Sequence, residues 1–209
     1  MQVVFPLYPG FTALDFIGPY QVLSNVPGVE VVLAAVEPGT VSDDNALLHL
    51  RVDTALDDVA APAIIVVPGG PVANVHRAIE SPLVGWLRTR HETTTWTASV
   101  CTGALLLGAA GLLEGLPATT HWLSYDELAG FGAQPTEQRV VIDGRIATAA
   151  GVSAGIDLGL TIVGREWGDD MARAVQLGIE YDPQPPYDAG APSKAGAPLV
   201  ELVTAVLRG

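Results

Sequence analysis

Residues Ala63-Ile64-Ile65-Val66-Val67 are apolar at every position, and the run stops abruptly at Pro68-Gly69-Gly70. A strand with one wet face would alternate. A run without polar residues needs cover on both faces, which places it at the centre of a parallel sheet. The flanking chain fits that frame. Residues 2–8, 30–36 and 47–52 read as further strands, while 13–23 reads as a helix with Asp15 in its first turn. Ser81-Pro82 opens a helix to about Arg90, with proline at the first helical position. Asp143-Gly144 between two apolar runs (139–142 and 145–149) predicts a tight hairpin. Ser153 opens a helix through Trp167, and Asp169-Asp170 another through Glu180. Strands alternating with helices predict an α/β fold: a doubly wound, mostly parallel sheet with helices on both faces.

With 209 residues, one domain over 1–209 is expected. Within it, 182–198 is rich in proline, glycine and alanine and reads as an extended surface segment, and 199–207 as a final amphipathic helix. The longest apolar run, 104–113, contains glycines and is too short to span a bilayer. The start, Met1-Gln2-Val3-Val4-Phe5-Pro6, has no basic segment and reads as a strand, so a cytoplasmic protein that engages no membrane is expected. A net charge of −13, with Lys194 as the single lysine, leaves no basic stripe for phosphates, which argues against nucleic acid as a partner. His49, His76, His91 and His121 show no ligand spacing, and one cysteine cannot form an internal disulfide. Neither a metal nor another cofactor is expected.

That cysteine lies in Trp96-Thr97-Ala98-Ser99-Val100-Cys101-Thr102-Gly103-Ala104-Leu105-Leu106-Leu107-Gly108. The segment reads as a buried strand breaking sharply into a helix with the thiol at the corner, the arrangement of a nucleophile elbow, which needs a small residue such as Gly103 two positions on. The first helical amides are expected to favour thiolate over thiol, making Cys101 acidic and readily oxidised. The alternative is a small buried hydrophobe, the commoner fate of a free cysteine. In an open α/β sheet, ligands bind at the carboxyl ends of strands where the strand order reverses. Three loops are expected there: Leu14-Asp15-Phe16-Ile17-Gly18-Pro19, Pro68-Gly69-Gly70 and Cys101-Thr102-Gly103.

Together these loops resemble the ThiJ/PfpI superfamily, relatives of the class I glutamine amidotransferases with a flavodoxin-like sheet and an elbow cysteine facing an acidic residue. Ser99-Val100-Cys101-Thr102-Gly103, Gly108-Ala109-Ala110-Gly111-Leu112-Leu113, Ala118-Thr119-Thr120-His121-Trp122, Ser153-Ala154-Gly155-Ile156-Asp157, and Val175-Gln176-Leu177 with Glu180-Tyr181 look like the isocyanide hydratases. The implied reaction is hydration of an isocyanide, R–NC, to an N-substituted formamide through a cysteine thioimidate. The resemblance implies Cys101 as nucleophile and Asp15 as general acid, then base, with the Asp15 pKa raised by the drier pocket. It implies Thr102 and Gly70 as amide donors to the attacked atom or water. His121 has either a role beside the sulfur or a structural one. Phe16, Ile17, Trp122 and Val152 would wall the pocket for R, although each is also a core candidate. For Asp15 the alternative is simple stabilisation of a helix start.

Superfamily members pair through helices beside the active-site loops, so a homodimer with Phe16, Ile17, Tyr20 and Leu23 near the interface is expected. Two other readings stay open: another cysteine-dependent hydrolase or lyase of the superfamily, and a non-catalytic ligand or redox sensor related to the sensing domain of AraC-type regulators. The sequence stops at Gly209, before the helix-turn-helix region those regulators carry. Two departures from the hydratase pattern, Pro71 after Pro68-Gly69-Gly70 and Ala149-Ala150 before Gly151, bear on pocket shape and substrate range. Pro71 has no amide hydrogen to give.

Overall fold

The computed structural model describes residues 1–208, and contacts divide the chain into two compact units, 1–179 and 180 onward. The first unit opens with β1 (Gln2–Pro6), α1 (Ala13–Leu23), β2 (Glu30–Ala35), β3 (Gly39–Ser42), β4 (His49–Val52) and β5 (Thr54–Ala55). It continues with β6 (Ile64–Val67), α2 (Val72–Ile79), α3 (Leu83–His91), β7 (Trp96–Val100) and α4 (Gly103–Ala109). Next come β8 (Pro117–Ala118), α5 (Tyr125–Gly130), β9 (Gln134–Pro135), β10 (Val140–Asp143) and β11 (Ile146–Ala149), and the unit closes with α6 (Ala154–Trp167) and α7 (Asp169–Gly178). The second unit holds α8 (Pro192–Ala195) and α9 (Ala197–Arg208).

The main sheet runs β10-β11-β7-β6-β1-β2-β5, parallel throughout except where the hairpin adds β10 antiparallel to β11. This is the doubly wound sheet that the apolar run predicts, and all four residues of β6 are fully buried at its centre. The chain winds outward from β1 through β2 and then returns to β6 on the other side of β1. The strand order therefore reverses between β1 and β6, and the loops that follow these two strands open at the same crevice.

Two expectations change. Residues 47–52 do not enter the main sheet: His49–Val52 pairs antiparallel with Gly39–Ser42 as a separate ribbon that buries Val41 and Val52 and exposes Gly39, Thr40, His49 and Arg51. Residues 192–195, inside the segment expected to be extended, form α8, and α9 starts at Ala197 rather than 199; no expectation covered 72–79, which form α2 directly after Pro71 and bury Val75 and Ala78.

Close helix packing sets the position of α1. A Cβ on Gly155 would sit 2.9 Å from Pro19 Cδ, and one on Gly159 would sit 2.9 Å from Val22 Cβ, so α6 approaches α1 through glycines. The same Cβ on Gly155 would lie 3.2 Å from Val100 Cγ2, so α6 also covers the end of β7. On the opposite face, His91 of α3 bonds Thr97 Oγ1 of β7 at 2.9 Å. Through Gly155, α1 at Pro19 is held beside the end of β7. Among the described residues no helix is long and apolar enough to cross a membrane.

Candidate active site

Cys101 and Thr102 form the corner between β7 and α4, and Cys101 has φ of +56°, a left-handed backbone that residues other than glycine rarely adopt. Such strain persists only where surrounding bonds over-determine it. Here the Cys101 N–H is shared between Ala149 O at 3.1 Å and Ala150 O at 3.0 Å, and Thr120 Oγ1 donates to Cys101 O at 2.9 Å. The small residue the corner requires is Gly103, because a Cβ there would lie 2.4 Å from Val67 O.

Asp15, in the first turn of α1, is fully buried. Its Oδ2 accepts from Gly69 N at 3.0 Å, while Oδ1 has no bond of ordinary hydrogen-bond geometry. The approach is tight: a Cβ on Gly69 would meet Thr102 Oγ1 at 2.5 Å, Thr102 N at 2.6 Å and Asp15 Oδ2 at 2.8 Å. Only glycine lets these three strand-end loops converge. Burial raises the Asp15 carboxyl from 3.8 to about 7, and the Asp44 charge adds to the rise; the Gly69 amide and the neighbouring Cys101 side chain oppose it by favouring the ionised form.

Burial dominates at the sulfur too. Cys101 is 5% exposed, and desolvation followed by the Asp15 charge pushes its thiol up to about 12. The amides of Val152 and Thr102 favour thiolate, as expected of an elbow, but they lose to burial. The expectation of a thiol more acidic than a free cysteine is therefore reversed. Thiol and carboxyl compete for protons as one coupled pair, which gives up its first proton near neutrality and holds the second far above it.

The remaining candidates divide. Thr102 and Gly70 meet, yet they bond each other: Thr102 Oγ1 donates to Gly70 O at 2.7 Å and accepts from Gly70 N at 2.8 Å. Gly70 thus directs its amide at Thr102 rather than at an open position. Val152 reaches the sulfur through its backbone N–H. His121 packs on Gly151, since a Cβ there would lie 3.1 Å from its Cδ2, and its ring lies tilted beside Trp122 with centroids 5.6 Å apart. The Leu123 N–H points at His121 Nδ1 at 3.4 Å, and burial lowers the His121 pKa, so the neutral ring carries its proton on Nε2. Phe16 is 4% exposed, and its ring packs into an aromatic cluster with Phe5, Phe11 and Tyr20. Ile17 lies two residues past Asp15, about 200° around the helix, and is 36% exposed.

Two participants carry more than the sequence suggested. Gly69 supplies the amide to Asp15, and Thr120 anchors the Cys101 carbonyl. Both stand inside motifs legible in the sequence, Pro68-Gly69-Gly70 and Ala118-Thr119-Thr120-His121-Trp122, but nothing in the spacing distinguishes them from their neighbours.

The sequence profile of the DJ-1/PfpI family matches residues 1–165. The isonitrile hydratase of Pseudomonas putida is 41% identical over 202 residues, covering 96% of this chain and 87% of that protein. The HTH-type transcriptional regulator CdhR of Pseudomonas aeruginosa is 29% identical over 186 residues, covering 85% of this chain and 53% of the regulator. The crystal structure of a ThiJ/PfpI family protein from Pseudomonas syringae superposes with a TM-score of 0.91 at 35% identity, covering 99% of this chain and 87% of that one.

Proposed function

The chain belongs to the DJ-1/PfpI family, and on that premise we propose that it hydrates isocyanides to N-substituted formamides, with Cys101 as nucleophile and Asp15 as proton carrier. The observation that carries the proposal is a buried carboxyl titrating near neutrality beside a buried thiol, in a chain 41% identical to an isonitrile hydratase.

The singly protonated pair supplies what the reaction consumes. Asp15 carboxylate takes the thiol proton as sulfur bonds to the terminal carbon of R–NC, and the resulting carboxylic acid delivers that proton to the same carbon. The product is a thioimidate, Cys101 S–CH=N–R, with Asp15 again ionised. Asp15 then takes a proton from water as the oxygen adds to the thioimidate carbon and passes that proton to the nitrogen, which leaves Asp15 ionised again. Collapse of the S–CH(OH)–NH–R adduct breaks the C–S bond, sends the hydroxyl proton back through Asp15 to sulfur, and releases R–NH–CHO. One water is consumed and thiol and carboxylate are regenerated. In this scheme Thr102 and Gly70 hold the loops in place, and the Val152 and Thr102 amides steady sulfur while it carries charge.

We also propose that two copies pair through α1, where Leu14, Ile17 and Tyr20 are exposed. Phe16 and Leu23, expected at that surface, are buried. A cytoplasmic location is proposed from the sequence alone. The competing reading, a sensor, draws on the likeness to CdhR. Incubating purified protein with an aryl isocyanide separates the two: formamide formation, with a Cys101 adduct of the isocyanide's mass in acid-quenched samples, is expected for the enzyme. Tight isocyanide binding without formamide would favour the sensor.

A further inference from the structure

Tyr8 follows β1 at the strand-order reversal and is 4% exposed. Its hydroxyl donates to Pro68 O at 3.1 Å. The nitrogen of that same peptide unit, Gly69 N, donates to Asp15 Oδ2 at 3.0 Å. One rigid plane therefore carries a phenol on its oxygen and a carboxyl on its hydrogen. We propose that Tyr8 is a positioning residue for Asp15, acting on its carboxyl through the shared Pro68–Gly69 peptide.

The physical link has two parts. A donor on the carbonyl polarises the peptide, making its N–H a stronger donor, and a stronger N–H bond favours carboxylate over carboxylic acid. The hydroxyl also fixes the rotation of the plane, which aims the Gly69 N–H at Oδ2. Other charged and titratable groups act on the same carboxyl: Cys101 from the β7–α4 corner and Asp44 from the loop after β3. From α6, Gly155, Ile156 and Gly159 pack on α1 and bring no charge. Tyr8 itself stays a donor throughout, because burial and then the Asp15, Cys101 and Asp44 charges hold its pKa well above 10.0.

The role rests on Asp15 being the proton carrier, but its test does not need turnover. Asp15 is titrated by carbon NMR of the intact protein labelled at the aspartate carboxyl carbon, its resonance identified by loss in Asp15→Asn. In Tyr8→Phe, which removes only the hydroxyl, the Asp15 midpoint should rise by about half a pH unit or more. The acidic limb of the kcat/KM profile should move with it while plateau activity is largely kept. Replacing tyrosine by 3-fluorotyrosine makes the phenol a stronger donor and should shift the midpoint the other way, and this protein decides the matter should Tyr8→Phe not fold. An Asp15 midpoint that stays put in these proteins overturns the role, even if the phenylalanine variant is less stable or slower. Absence of isocyanide turnover in the unmodified protein would instead overturn the hydratase reading and leave the titration result standing.

Discussion

The Thr102 hydroxyl closes a two-bond clasp on Gly70, giving its proton to the Gly70 carbonyl at 2.7 Å and accepting the Gly70 amide at 2.8 Å. The clasp ties the residue after the cysteine to the loop that holds Asp15. Thr102→Val keeps the shape but strands both Gly70 groups in a buried place, at a cost of about 2–4 kcal/mol. A lower thermal midpoint and a more than tenfold fall in kcat/KM are expected, with Thr102→Ser restoring most of both. An unchanged midpoint in the valine variant would show that the clasp contributes nothing.

Activity should rise with pH through about 7, the Asp15 midpoint. The reacting state carries one proton on the pair, so protonating both groups at lower pH removes the base. The second proton leaves only near 12, beyond the useful range. A plateau from about pH 8 upward is therefore expected in kcat/KM. A profile that falls as pH rises through 7 would mean that the doubly protonated pair is the reacting form.

Asp15 costs the fold stability at the pH where it works. Its carboxyl is raised from 3.8 in the unfolded reference to about 7, so between these values the unfolded chain ionises first and stability declines; above 7 the loss is complete. The shift corresponds to a ceiling of about 4 kcal/mol. Asp15→Asn keeps an oxygen for the Gly69 amide and removes the buried charge. Its thermal midpoint should exceed that of the unmodified protein at pH 8 and match it near pH 3.5, while turnover falls by about 100-fold or more. Scanning calorimetry at both pH values, beside a formamide assay, checks the pair of outcomes; Cys101→Ala should be equally inactive.

The native thiol should be slow toward iodoacetamide. With its pKa pushed to about 12, Cys101 carries little thiolate at neutral pH. Alkylation at pH 7 should run roughly a hundredfold or more below that of a free cysteine. In denaturant the same residue should react at the ordinary rate, and Asp15→Asn, which removes the adjacent charge, should speed labelling of the folded protein. Native labelling as fast as that of a model thiol would restore the acidic elbow cysteine.

Light scattering tests the pairing through α1: the mass should be twice the 21.7 kDa of one chain. Ile17→Glu, which places a charge on the exposed face, should halve it.

What the sequence discloses follows from how local each cause is. The unbroken apolar run 63–67 fixes a central parallel strand, and Asp143-Gly144 fixes the hairpin, because both are dictated by residues next to one another. Helix α2 is obscured by Pro68-Gly69-Gly70-Pro71, which reads as loop, although Val72, Val75 and Ile79 recur at helical spacing. The ribbon of β3 and β4 is a matter of partner choice, which strand propensity does not encode. At the site, the resemblance implies Asp15 and Cys101, but the thiol's proton affinity depends on burial contributed by several segments, and no amide count at a helix start reveals it. Phe16 shows the same limit: beside a candidate acid it reads as pocket wall, whereas Phe5 and Phe11 draw its ring into the core.

The bonds that hold Cys101 in its left-handed turn come from Thr120, Ala149 and Ala150, all later in the chain. During synthesis from the amino end, residue 101 emerges with none of them available and remains an ordinary, relaxed cysteine. Only when the hairpin strand has left the ribosome and docked beside β7 is the corner forced into place. The strained corner is thus coupled to completion of the sheet, and a nascent or truncated chain lacking that last parallel strand carries the cysteine but not its geometry.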